Sequence, residues 1–273
     1  MKIFGKDEDP EDLIYQGVSL MQKNQPKAAI TLFNKALKND DNNIEALHNK
    51  GLALNQMKKY SDALTCFQKI IDIDAKDASA LNNKAIALAE LGNTGDALKC
   101  YEEAISADSK YAPAFFNKGV LLDRLEIFEE AVSALDEAIK IEPKKSNALF
   151  YKGVVLGKMG KHEEALNCFQ NVARIHPQHL DAFFHKGIEL AELNEHKKAI
   201  EVFDNILKKY KDNVNVIYAK ARSMAALDEI GQSMDLLKRA IAKDSKTIRK
   251  WAKEEKAFKR FHDNEQFRRL VKL

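Results

Sequence analysis

Proline is scarce in this 273-residue sequence, at five residues, and glycine is held to eleven. So little of either excludes a collagen-like or low-complexity disordered chain. Cysteine is scarcer still. Cys66, Cys100 and Cys168 cannot all pair and show no CxxC spacing, which excludes a disulfide scaffold and fits a reducing environment. No apolar run approaches the roughly 18 residues that a membrane helix needs. The opening MKIFGKDEDPED turns acidic where a signal peptide would need its apolar segment, so the expected compartment is the cytoplasm, with no membrane partner.

Catalytic signatures are missing as well. There is no Gly-rich phosphate loop, no G-x-S-x-G and no H-E-x-x-H, so no enzyme activity and no cofactor are expected. His176 and His179, in HPQH, have no cysteine or carboxylate near them in sequence, and no metal site is expected there. A net charge of +3 is too small to imply a nucleic-acid partner by itself. Its placement is uneven: residues 246–273 hold ten Lys/Arg against four Asp/Glu, leaving the rest of the chain at about −3.

What the sequence does have is a period. LHNKGLALNQM at Leu47 returns as LNNKAIALAEL at Leu81 and FFNKGVLLDRL at Phe115, then more loosely at Leu149, Phe183 and Ile217. Its small residue recurs as Gly17, Gly51, Ala85, Gly119, Gly153, Gly187 and Ala221, every step being 34 residues. Twelve residues after each comes a second small residue, Ala29 to Ser233. Four further on stands Phe33, Phe67, Tyr101, Leu135, Phe169, Phe203 or Leu237. Leu47, Gly51 and Leu54 are spaced i, i+4, i+7, and so are Ala63, Phe67 and Ile70, with a polar turn between the two sets. Each unit therefore reads as two helices joined in a hairpin.

This pattern resembles the tetratricopeptide repeat (TPR), whose period is 34 and whose signature is large-x2-L-G-x2-Y, then A-x3-F, then A and Pro. The resemblance implies an all-α TPR solenoid, a right-handed superhelix of seven repeats over residues 10–43, 44–77, 78–111, 112–145, 146–179, 180–213 and 214–245. Residues 1–9 are expected to be a lead-in. Asp9-Pro10-Glu11-Asp12 supplies a helix cap, proline at the first helical position and acid in the first turn.

In the family the first helix of each hairpin lines a concave surface, and slots two, five, six, nine, twelve and thirteen look inward. The Gly is slot eight and is expected to pack. Slot seven is Lys in six repeats, Lys50 to Lys220, and a lysine there can lay its stem along the seam while its ammonium reaches water and a nearby acid. Slot six is Asn49, Asn83 and Asn117 in consecutive repeats. An amide offers a donor and an acceptor, suited to the backbone of an extended peptide. Slots five and nine supply Phe116, Phe150, Phe184 and Tyr218 interleaved with Val120, Val154 and Ile188. They do not supply the Lys and Asn set with which chaperone-binding TPR domains clamp a terminal carboxylate. The implied function is a scaffold holding a peptide or amphipathic helix, with its partner's identity open.

The tail, residues 246–273, puts Ile248, Trp251, Phe258 and Phe261 on one helical face, and Asp263 is expected to cap a second short helix with Phe267, Leu270 and Val271. A solenoid needs such a cap. Two other readings stay open: the tail docks in the groove of its own chain or a neighbour, giving a homo-oligomer, or its basic face meets nucleic acid or an acidic membrane. The aromatics fall at core spacing, which argues against nucleic acid. An accessory subunit of an enzyme complex also stays open.

Overall fold

The computed structural model describes residues 9–272, and every regular element among them is helical. The chain forms two compact units, Met1–Glu142 and Pro143–Leu273. Within the first unit, four helix pairs follow one another: α1 (Pro10–Gln22) with α2 (Pro26–Asn39), α3 (Ile44–Gln56) with α4 (Tyr60–Ile73), α5 (Ala78–Glu90) with α6 (Thr94–Ala107), and α7 (Ala112–Arg124) with α8 (Phe128–Ile141). The second unit holds α9 (Ser146–Lys158) with α10 (His162–Ile175), α11 (Leu180–Glu192) with α12 (His196–Lys209), and α13 (Val214–Ala226) with α14 (Ile230–Lys243). It closes with α15 (Ser245–Glu254), a 3-10 segment over Lys256–Phe261, and α16 (Glu265–Val271). Of the lead-in, only Asp9 lies within the described residues.

Short polar side chains start many of the first helices. Oδ1 of Asn43, Asp77 and Asn213 accepts the amide three residues on, at 2.9, 2.8 and 3.2 Å. Each satisfies one of the amides that a helix leaves unpaired at its start. Inside every hairpin one residue takes a left-handed backbone: Asn24, Lys58, Gly92, Glu126, Gly160, Asn194 and Asp228, again 34 apart. Only two are glycine, so the other five carry the steric cost of a Cβ in that region.

The small residue of each phrase brings the two helices of a pair together. A Cβ on Gly17 would stand 2.3 Å from a ring carbon of Phe33, and one on Gly187 would stand 2.4 Å from Phe203. Those rings are wholly buried and fill the middle of each pair. Where Ala85 or Ala221 replaces glycine, the facing residue is Tyr101 or Leu237.

The tail departs from the period. Only Asp244 separates α14 from α15, which starts three residues before an eighth repeat would. Ile248, Ala252, Phe258, Phe261, Phe267 and Val271 join Leu237, Ala240 and Ile241 in one core. Trp251, expected on the same face, is instead 40% exposed, and the cap of α16 is Asn264, whose Oδ1 accepts the Phe267 amide at 3.0 Å, rather than Asp263. Phe258 and Phe261 lie on the 3-10 segment, because the helix ends at Glu254 before the chain turns back onto α13.

Candidate functional site: the inner faces of the first helices

Slot seven comes first, because six lysines in register raise the prospect of a basic ladder. Nζ of Lys84 donates to Gln68 Oε1 at 2.8 Å, Lys118 pairs with Glu102 at 3.1 Å, and Lys220 pairs with Asp204. Each reaches back sixteen residues to the second helix of the preceding pair. At these three rungs the charge is spent on inter-repeat seams.

In the first unit the amides are partly committed too. Asn49 Nδ2 donates to the Glu45 carbonyl at 3.0 Å, and Asn83 Nδ2 donates to the Ser79 carbonyl at 2.9 Å. Asn117 Nδ2 donates to Oδ1 of the buried Asn82 at 2.9 Å. Asn83 is only 8% exposed, so the expected row of three accessible amides is carried by Asn49 and Asn117, both half-buried. Asn83 lies too deep because the small slots around it, Ala80, Ala85 and Ala87, let neighbouring helices close over it. Phe116 and Val120 are half-buried on α7 of this unit. Slot six of α1 is Tyr15, 77% exposed.

The second unit carries an apolar wall. Phe150 and Val154 on α9, with Phe184 and Ile188 on α11, are all half-buried. Phe150 meets the buried Phe169 edge-on at 5.5 Å, and Phe184 packs on Phe203 at 6.2 Å. Their roots are thus fixed in the pair cores while part of each ring reaches solvent. Tyr218 does not extend this wall. It lies beneath the tail, 8% exposed, with Trp251 at 5.5 Å and Phe258 at 6.0 Å. Burial pushes its phenol above the ordinary range, with Glu255 adding to the rise. Beyond it Arg222, in slot nine, bridges Glu192 at 3.0 Å and Glu255 at 2.6 Å. The wall therefore ends in a fixed ion network.

Two histidines belong to this wall: His185, which the sequence reading left unmarked, and His179, weighed there only as a metal ligand. His185 occupies slot six of α11, stacked on Phe169 at 5.0 Å and edge-on to Phe150 at 5.4 Å and Phe184 at 5.7 Å. Burial holds its imidazole below the ordinary range, against an opposing pull from Asp181. His179 also stacks on Phe150, at 5.2 Å, and its Nδ1 accepts the Ala182 amide at 3.2 Å as the cap of α11. Tyr151, slot six of α9, stands beside Phe150 at 6.1 Å. The signal was the register itself, since all slot-six residues share a face with the asparagines.

Cys66, Cys100 and Cys168 are buried, and burial pushes the thiols of Cys66 and Cys100 up, away from reactive thiolate character. Among the described residues, no group of three or more His, Cys, Asp or Glu side chains converges as metal ligands would. None of the described helices is long and apolar enough to cross a membrane.

Two families match. The one described as Psidin, N-terminal TPR repeats region, matches residues 14–117, and anaphase-promoting complex, cyclosome, subunit 3, matches residues 124–206. The chain is a tetratricopeptide repeat protein. Among solved TPR-like structures, it is similar to YrrB, a TPR protein with an unusual peptide-binding site, at 22% identity and a TM-score of 0.60 over 69% of this chain and 98% of that one. A tetratricopeptide repeat protein from Parabacteroides merdae matches at 17% identity and 0.61, covering 98% of both chains. Pseudomonas aeruginosa pilF matches at 19% and 0.66, over 78% of this chain and 97% of that one. At these identities the likeness carries the TPR fold. Comparison with curated proteins finds no match.

Proposed function

We propose that this TPR protein is a non-catalytic interaction scaffold whose second unit holds an apolar peptide or amphipathic helix against α9 and α11. The observation that carries this is the wall of Phe150, Val154, Phe184 and Ile188, which keeps apolar surface in solvent although the pair cores are already filled by Phe169 and Phe203. Rigid aromatics presented side by side on adjacent helices suit the i, i+3, i+4, i+7 anchors of an amphipathic ligand. In the first unit, Asn49 and Asn117 retain a free amide edge suited to an extended backbone. A peptide-binding TPR protein among the similar structures supports the reading. Docking of the tail in a neighbour's groove is disfavoured, because its rings are spent in the core of their own cap.

The test is selection from a random peptide display library with the whole chain, repeated with Phe184→Ala. The expected ligands carry apolar residues at helical spacing and bind the variant at least about tenfold more weakly, the loss of one anchor worth about 1.4 kcal/mol. Ligands that bind both proteins equally would overturn the assignment.

A further inference from the structure

The ring at the centre of the proposed wall is flanked by imidazoles. Phe150, from α9, has His179 stacked at 5.2 Å and 28° and His185 edge-on at 5.4 Å and 81°. His185 also stacks on Phe169 at 5.0 Å and touches Phe184 at 5.7 Å, so it joins both aromatic anchors. In the other repeats slot six is Tyr, Asn or Ala, none of which takes up a proton at physiological pH.

Each histidine is tied to the wall in its neutral form, for a different reason. His179 caps α11 through Nδ1, which accepts the Ala182 amide only with its lone pair free. A proton there removes that bond, leaving the Ala182 amide only the His179 carbonyl at 3.1 Å, and sets a positive charge at a helix N-terminus, where the backbone dipoles already point their positive end. His185 is packed among rings from α9, α10 and its own helix, where a charge loses hydration. The titratable groups facing this cluster include Tyr151 of α9, which stands beside Phe150 at 6.1 Å. Asp181, on α11, favours the charged ring of His185, and His179, from the turn before α11, shares its contact with Phe150. The elements on the other sides, α9 and α10, present Phe150 and Phe169.

We infer that the wall is a proton-gated site, which takes an apolar helix while His179 and His185 are neutral and releases it when either ring is protonated. An apolar occupant would remove water from His185 and so oppose its protonation further. By linkage, occupancy then falls with pH through the histidine range, by up to about tenfold per pH unit for each proton taken up. This rests on the proposed function for the ligand, while the gate itself also has a ligand-free signature at the cap of α11.

The experiment uses the full chain and a fluorescein-labelled amphipathic model helix with Leu at i, i+3, i+4 and i+7, followed by anisotropy at neutral and mildly acidic pH. The ligand-free arm follows, by NMR, the histidine ring protons and the exchange protection of the Ala182 amide. The expected result is at least about tenfold weaker binding in acid. Ala182 protection should fall as pH drops. His185→Asn, which installs the slot-six residue of earlier repeats, should lose much of the pH dependence, read as the ratio of its own affinities at the two pH values. His179→Asn, which keeps a capping oxygen as at Asn43, should keep Ala182 protected in acid. Binding that is flat with pH, or a pH dependence unchanged in both variants, overturns the gate. Should the model helix bind at no pH, the proposed function fails. An Ala182 amide equally protected at neutral and mildly acidic pH would then overturn the gate as well.

Discussion

Nδ1 of His162 lies 2.8 Å from Oε2 of Glu189, a carboxylate with only 6% of its side chain exposed. Glu189 occupies the slot that holds Ala53, Ala87, Leu121 and Val155 in other repeats. Room for it exists because Gly157 has no side chain: a Cβ there would stand 2.8 Å from Glu189 Oε1.

Burial raises the Glu189 carboxyl above its ordinary value, and the His162 hydrogen bond offsets part of the rise. The folded chain therefore holds this proton more tightly than the unfolded chain. Its contribution favours folding at acid pH and is lost as pH rises through the raised value. Glu189→Gln is expected to melt higher than the wild type at neutral pH, by calorimetry, with the gap closing as pH falls toward the ordinary carboxyl value. A lower melting temperature for the Gln variant at neutral pH would show that the His162 pairing outweighs desolvation.

Glu126, with φ of 60°, and Gly160, with φ of 75°, occupy the same left-handed place in successive hairpins. Glu126→Gly should stabilise by about 1 kcal/mol, and Gly160→Ala should destabilise by a similar amount. Urea unfolding with unchanged slope checks both. Equal stability of the two variants and the wild type would contradict the strain.

Trp251 is the sole tryptophan and packs at a tilt against Tyr218, which also touches the buried Phe258. Phe258→Ala should cost about 3–5 kcal/mol and shift the Trp251 emission to the red. Hydrogen exchange should show the loss in α13 and α14 first. Retained protection in those helices would mean that the tail is an appendage rather than a cap.

Lys118 pairs with Glu102 along a half-exposed seam. Exposed pairs contribute about 0–1 kcal/mol, so Lys118→Leu, the usual residue of the family in that slot, should change stability by less than about 1 kcal/mol. A larger loss in thermal melts would give the lysines more than a packing role.

The hairpins were legible because each 34-residue unit must carry its own close approach, Gly17 on Phe33 or Gly187 on Phe203, and such contacts fix residue type at fixed spacing. The wall of Phe150 and Phe184 was legible for the same reason, since register alone sets the face. The fate of Tyr218 was not, because the tail that covers it leaves the period at Asp244 and folds back by its own short-range contacts. Asn83 was misread since its burial is decided by the small side chains beside it on α5, Ala80, Ala85 and Ala87, not by its slot. The place of His179 and His185 in the wall went unmarked because ring contacts at Phe150 join residues from a turn and two helices, which no single-helix pattern displays.

The central claim is that the second unit's inner wall is where a partner sits, and hydrogen exchange of the full chain with and without a peptide selected for binding tests it most directly. The account predicts new protection, or side-chain perturbation at Phe150 and Phe184, confined to α9 and α11, with α10 and α12 unchanged. Protection appearing on the outer helices, or surviving unchanged in Phe184→Ala, would contradict it.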